Sequence, residues 1–95
     1  MTTSVEIKHQ HGEDKFSEIV TCTAPALDAV LFDFNPASSH DVTTVKALCA
    51  AVVQKMRDLQ NNPDTTPARK RMAAIAITQL ELTQMAAVKA YFAKG

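Results

Sequence analysis

Hydrophobic and polar positions follow two different periods along this chain. In "SVEIKH", residues 4–9, Val5 and Ile7 alternate with polar neighbours, the pattern of a half-buried strand. "HGED" reads as a turn or a disordered tip. "FSEIVTCT", residues 16–23, is rich in β-branched residues and predicts a second strand. "APALD", with Pro25, interrupts it. "AVLFDF", residues 29–34, is a short apolar and aromatic run between Asp28 and Asn35-Pro36, and predicts a further strand. The expectation for residues 1–35 is an antiparallel hairpin or small sheet of two or three strands.

Beyond a loop, "NPASSHD", the period lengthens. Val45, Leu48, Cys49, Val52, Met56 and Leu59 recur at three- and four-residue steps and predict a helix over 42–60. Lys46, Gln54, Arg57 and Asp58 fall on its other side. Asp41 or Ser39 can cap its first turn by accepting from free amides. Asn61 or Asn62 can take a left-handed C-terminal position, and Pro63 ends the helix. Thr66 is the expected cap of a second helix over 67–93. Pro67 is its first residue, where a missing N–H costs nothing. The short link makes the two helices an antiparallel hairpin. The whole is one α+β domain of 95 residues without internal repeats.

The second helix carries the most information. Met72 to Val88 is a run of 17 residues with one charge, Glu81. At about 100° per residue, Ala73, Leu80, Ala87, Val88 and Tyr91 lie within about 80° of Ile77. That stripe suffices to pack on the first helix and the sheet. Ile75, Leu82, Met85 and Phe92 point elsewhere, at about 60° to 160°. A helix apolar nearly all round is buried nearly all round. A chain this short has little to cover a second face, which predicts a homo-oligomer built on this helix. The alternative is a central helix wrapped by the rest of the chain.

Arg71, Thr78 and Lys89 share that second face, at about 100° to 120°. Two readings are open. Symmetry can bring several copies of Arg71 and Thr78 together as a multivalent anion site. Alternatively, Arg71 extends to solvent and Thr78 bonds back to a backbone carbonyl. Arg69 and Lys70 add positive field at the head of the helix, where anions are favoured.

Composition narrows the choice. Ten basic and ten acidic residues give a net charge of zero, which argues against a partner such as a nucleic-acid duplex. Cys22 and Cys49 fit no zinc spacing and read as reduced, buried small hydrophobes of a reducing cytoplasm, with a disulfide as the alternative. The N-terminal stretch lacks the apolar core of a signal peptide, and no run is long enough for a membrane span. His9, His11, Glu13 and Asp14 imitate a metal site in what reads as a solvated segment. His40-Asp41 has no nucleophile motif beside it. With two glycines in the chain, phosphate-cradling loops are absent. Phe32 and Phe34, as alternate strand residues, would face one side, either as core or as a platform for a base. No catalytic residue, metal or cofactor is expected.

"RMAAIAITQLELTQMAAVKA", residues 71–90, resembles the second-helix signature of small phage proteins that counter bacterial CBASS and Thoeris defence. That signature is an arginine, an alanine-rich turn, A-x-T-x-L-E, and a methionine before a final basic turn. Ala76, Thr78, Leu80, Glu81, Met85 and Lys89 follow that order. "VLFDF" and "VKALCAAVVQKM" are similar to the family's upstream strand and first helix, so the resemblance covers roughly 28–92. Ala86 stands where a tryptophan is common, and Leu82-Thr83 replaces a more polar pair.

The resemblance implies a non-enzymatic sponge: a hexamer, as three dimers, that sequesters cyclic nucleotide messengers in the cytoplasm of the host bacterium. It implies one pocket for cyclic trinucleotides, onto which Arg71 and Thr78 map. It implies a second for smaller cyclic nucleotides, using an aromatic supplied here by Phe32 or Phe34 and an asparagine-glycine loop. This chain lacks that N-G; Ser38, Ser39 and His40 stand there instead. Rival readings are a structural or adaptor oligomer without a small ligand, a DNA-binding regulator using "ARKRM", and an enzyme of cyclic-nucleotide turnover.

Overall fold

The computed structural model describes residues 2–35 and 39–94. Strands β1 (Thr3–His11) and β2 (Asp14–Cys22) are followed by a short helix, α1 (Ala24–Ala29), and two long ones, α2 (His40–Asn61) and α3 (Pro67–Phe92). The architecture is α+β, with a two-stranded antiparallel sheet leading into helices.

The hairpin turns on Gly12, whose φ of 64° is a left-handed value that glycine adopts without strain. Register runs from His11 opposite Asp14 to Thr3 opposite Cys22. Only the base of the hairpin is packed: Val20 and Cys22 join Ala26, Leu27, Val30, Ala50, Ala51 and Val53 in the core, with Val5 against them.

Residues 29–34 do not form the predicted strand. Pro25 begins a helix instead of breaking a strand, because it sits in the first turn of α1, where its missing N–H is harmless. The three-residue step from Leu27 to Val30 then puts both into the core. The helix closes by a Schellman motif: Phe32 N–H donates to Leu27 O (3.0 Å) and Leu31 N–H to Asp28 O (3.1 Å). Leu31 takes the left-handed position at φ 51°, a place usually held by glycine.

The buried side of α2 also differs from the predicted stripe. Val42, Lys46, Ala50, Ala51, Val53 and Gln54 are buried, while Leu48 and Val52 stand 50% and 45% exposed. The helix is sandwiched, with the hairpin and α1 on one side and α3 on the other, so small residues go inside and the simple amphipathic rule fails. Gln54 is inside because it has partners. Its Oε1 accepts from Thr23 N–H (3.0 Å) and Thr23 Oγ1 (3.1 Å), and its Nε2 donates to Asp58 (2.9 Å).

Ser39 caps α2, accepting from Val42 N–H at 3.3 Å, and Asp41 lies within the first turn. At the other end Asn62 is extended (φ −72°), not left-handed. Thr65 Oγ1 donates to Leu59 O at 2.7 Å, satisfying one of the terminal carbonyls that a left-handed cap would have served. Thr66 caps α3 as predicted, its hydroxyl accepting from Arg69 N–H at 3.2 Å. Thr66→Ala is expected to lower stability by about 1 kcal/mol in chemical denaturation. Both cysteines are free, and burial pushes both thiols up, away from the reactive thiolate.

Candidate functional site

The wheel reading of α3 holds in three dimensions except at Tyr91. Ala73 is buried, and Ile77, Leu80, Ala87 and Val88 are half-buried. Gln84 sits in the same stripe, almost fully buried. Tyr91, near the helix end, is 51% exposed. On the other side Ile75, Leu82, Met85 and Phe92 are all exposed, between 43% and 60%. Arg71, Thr78 and Lys89 are exposed with them. The seven-residue step from Arg71 to Thr78 places them about 10 Å apart along the axis.

The cap orders the head of this helix. Lys70 N–H donates to Thr66 O (3.0 Å), and Gln60 Nε2 of α2 reaches Lys70 O (3.4 Å), tying the two helices together. Arg69, Lys70 and Arg71 are exposed, and among the described residues no carboxylate pairs with them. Three cations beside a helix N-terminus, none of them in an ion pair among the described residues, can attract an anion. Thr78 Oγ1 donates to Ala74 O at 3.2 Å, the back-bonded arrangement. Thr78 is exposed, and rotation about the Cβ–Oγ bond frees the proton for another acceptor.

Phe32, Phe34 and His40 lie at the other end of the molecule. His40 opens α2 and Arg71 follows its far end across a short link; the 22-residue helix spans about 33 Å. Within one protomer these two groups of residues are therefore separate sites. Phe32 and Phe34 do not share a face: Phe32 is half-buried against the core, and Phe34 is 65% exposed. Leu27, Asp28, Leu31, Phe32, Asp33 and Phe34 line a cleft of about 360 Å³, so two carboxylates share it with the rings. Asn35 staples the loop by donating to Ser39 O and Thr43 Oγ1 (both 2.9 Å) and accepting from Ser39 N–H (3.2 Å). Ser38 lies outside the described residues. His9, at the hairpin, stacks on Phe16 with ring centroids 4.6 Å apart.

Lys46 is the residue that helical periodicity misassigned. It is 2% exposed, and its Nζ donates to Leu31 O (2.6 Å) and Phe34 O while lying 5.5 Å from the centre of the Phe34 ring. Burial holds its pKa below the usual lysine range. One buried cation thus fixes the turn that carries Leu31 and Phe34. The signal available was a run of aromatics with no partner of its own, and a lysine twelve residues on cannot be matched to it by spacing.

The sequence model of the family described as "Acb2/Tad1, hairpin domain" matches residues 26–92. The chain belongs to the Acb2/Tad1 hairpin-domain family. No curated protein and no solved structure gives a significant match. Acb2/Tad1 proteins are phage anti-defence proteins that act on CBASS and Thoeris signalling by binding cyclic nucleotides. The matched span takes in α1 from Ala26 on, the Lys46 turn, and the α2–α3 hairpin with Arg71 and Thr78. It leaves out β1 and β2. No helix among the described residues is long and apolar enough to cross a membrane.

Proposed function

We propose that this protein is a phage-encoded sponge in the host cytoplasm, which binds cyclic oligonucleotide immune messengers and withholds them without cleavage. The observation that carries this reading is Arg71: an exposed guanidinium without a carboxylate partner among the described residues, on the same apolar face of α3 as Thr78. Six copies, arranged as three dimers, cover Ile75, Leu82 and Met85 and bring several Arg71–Thr78 pairs round one ligand. Arg71 grips phosphate through paired donors, Thr78 through its hydroxyl, and Arg69 and Lys70 add field. Binding costs no catalytic group, and none is assigned.

Calorimetric titration with a panel of cyclic di- and trinucleotides tests this. At least one member is expected to bind and to be recovered chemically intact by chromatography after heating the complex. Recovery of a linear product would replace the sponge with an enzyme. The back-bond from Thr78 to Ala74 favours a second reading, an adaptor oligomer of phage origin without a small ligand; absence of heat with every member would put it ahead. A monomeric mass at micromolar concentration would remove the shared site.

A further inference from the structure

The β-hairpin is unexplained by the family match, which begins at residue 26. Among the described residues its strands pair only with each other. A two-stranded sheet alone is marginal in water. Yet every residue from Glu6 to Ile19 is exposed, Ile7, Phe16 and Ile19 among them at 37%, 48% and 63%.

The two edges of this sheet are not equivalent. α2 runs alongside β2: Glu18, Ile19, Val20 and Thr21 form one groove with Gln54, Lys55 and Asp58, and Lys55 pairs with Glu18 at 3.1 Å. Among the described residues, the outward backbone groups of β1 make no backbone hydrogen bond.

The turn fixes which groups point outward. A two-residue connection makes its flanking pair, His11 and Asp14, exchange both hydrogen bonds, and the pattern alternates from there. Thr3, Val5, Ile7, His9 and His11 therefore bond to β2. Ser4, Glu6, Lys8 and Gln10 turn their N–H and C=O groups outward.

We propose that β1 of two copies pairs edge to edge, antiparallel, about a two-fold axis at Ile7, forming a continuous four-stranded sheet. In that register Glu6 stands opposite Lys8 of the second copy, Lys8 opposite Glu6, and Ser4 opposite Gln10. All of these are outward-bonding residues, as a ladder requires. Ile7 meets Ile7 in a close, non-hydrogen-bonded pair. Sliding the copies by one pair either way sets Glu6 against Glu6 or Lys8 against Lys8, which like-charge repulsion disfavours. A one-residue slip opposes outward groups to inward ones. Glu6 and Lys8 already reach each other along one strand, at 3.2 Å, with side chains 53% and 74% exposed, so both are free to re-pair across an edge. The pairing buries exposed Ile7, keeps one edge from open-ended association, and stands apart from the α3 face.

Disulfide trapping of the full chain tests this. In a non-hydrogen-bonded pair the Cα atoms lie about 4.5 Å apart, within disulfide range. Ile7→Cys is expected to give a linked dimer on mild oxidation, and Ile19→Cys, more exposed but on β2, is expected to stay unlinked. In the Ile7→Cys background, Glu6→Lys or Lys8→Glu alone is expected to lower the linked fraction roughly tenfold, and the two together to restore it. An unlinked Ile7→Cys, equal linking at Ile7→Cys and Ile19→Cys, or indifference to the charge reversals would each overturn the pairing. Ligand affinity is not the readout, so this outcome and that of the sponge reading are distinguishable.

Discussion

Lys46→Ala is expected to lower stability by about 2–4 kcal/mol, the largest effect of any single α2 substitution facing the turn. The side chain is almost fully buried, so truncation leaves a cavity the length of its stem. It also removes a donor from two carbonyls, Leu31 O, which keeps the Phe34 N–H, and Phe34 O. In a domain of this size the thermal midpoint should fall by about 10 °C or more. Lys46→Met separates the two contributions. It refills the volume but supplies no donor. Leu31 O keeps the Phe34 N–H, so one carbonyl is left short of a donor, and the methionine variant should lose no more than about 1–1.5 kcal/mol. An alanine variant with an unchanged midpoint would show that Lys46 does not hold the turn.

The pH dependence has a definite sign. Burial depresses the folded pKa of Lys46 below the unfolded value near 10.5. Between those two values the unfolded chain binds more protons than the folded one, so stability rises with pH across that window. Relative to Lys46→Met, the wild-type chain should gain stability as pH climbs toward 10.5. A neutral amine keeps two N–H donors for the two carbonyls, so the turn survives deprotonation.

Lys46 also marks where sequence reading succeeds and fails. The Gly12 turn, the Thr66 cap, Pro67 and the two faces of α3 were legible because each rests on local geometry. Turn, cap and period are decided within one or two turns of chain. Residues 29–34 looked like a strand because their apolar, β-branched and aromatic content suits one. What overrode that propensity was tertiary: Val30 and Leu27 reach a core formed by α2 and β2, and Lys46 supplies donors that a ladder would otherwise have given. The inner side of α2 was misread for the same reason. Its large residues Leu48 and Val52 are outside and a lysine is inside, because two layers press on it and only small or bonded residues fit between them. Of the candidate site, Arg71 and Thr78 could be placed from α3 alone. Phe32 and Phe34 could not, since their relation depends on a left-handed Leu31 that no spacing rule anticipates.

Arg71→Ala is expected to weaken cyclic-nucleotide binding by about 100-fold or more while leaving the fold intact. The guanidinium offers a rigid fork to phosphate, and each charge-assisted hydrogen bond is worth about 1.5–3 kcal/mol. In a site where several protomers meet, one substitution removes every copy of the fork at once. The side chain is exposed at the head of a capped helix, so its loss should change folding stability by no more than about 0.5 kcal/mol. Arg71→Lys keeps the charge and loses the paired geometry, and should recover only part of the affinity. Thr78→Val should cost roughly tenfold, since one neutral hydroxyl contact goes. Calorimetry on each variant gives the affinity, and thermal unfolding of the same samples excludes misfolding as the cause. Phe34→Ala, about 20 Å away along α2 from Lys46 to Gln60, serves as the internal comparison. If it abolishes binding of a cyclic nucleotide while Arg71→Ala leaves that affinity unchanged, the ligand sits at the turn held by Lys46, not on the exposed face of α3.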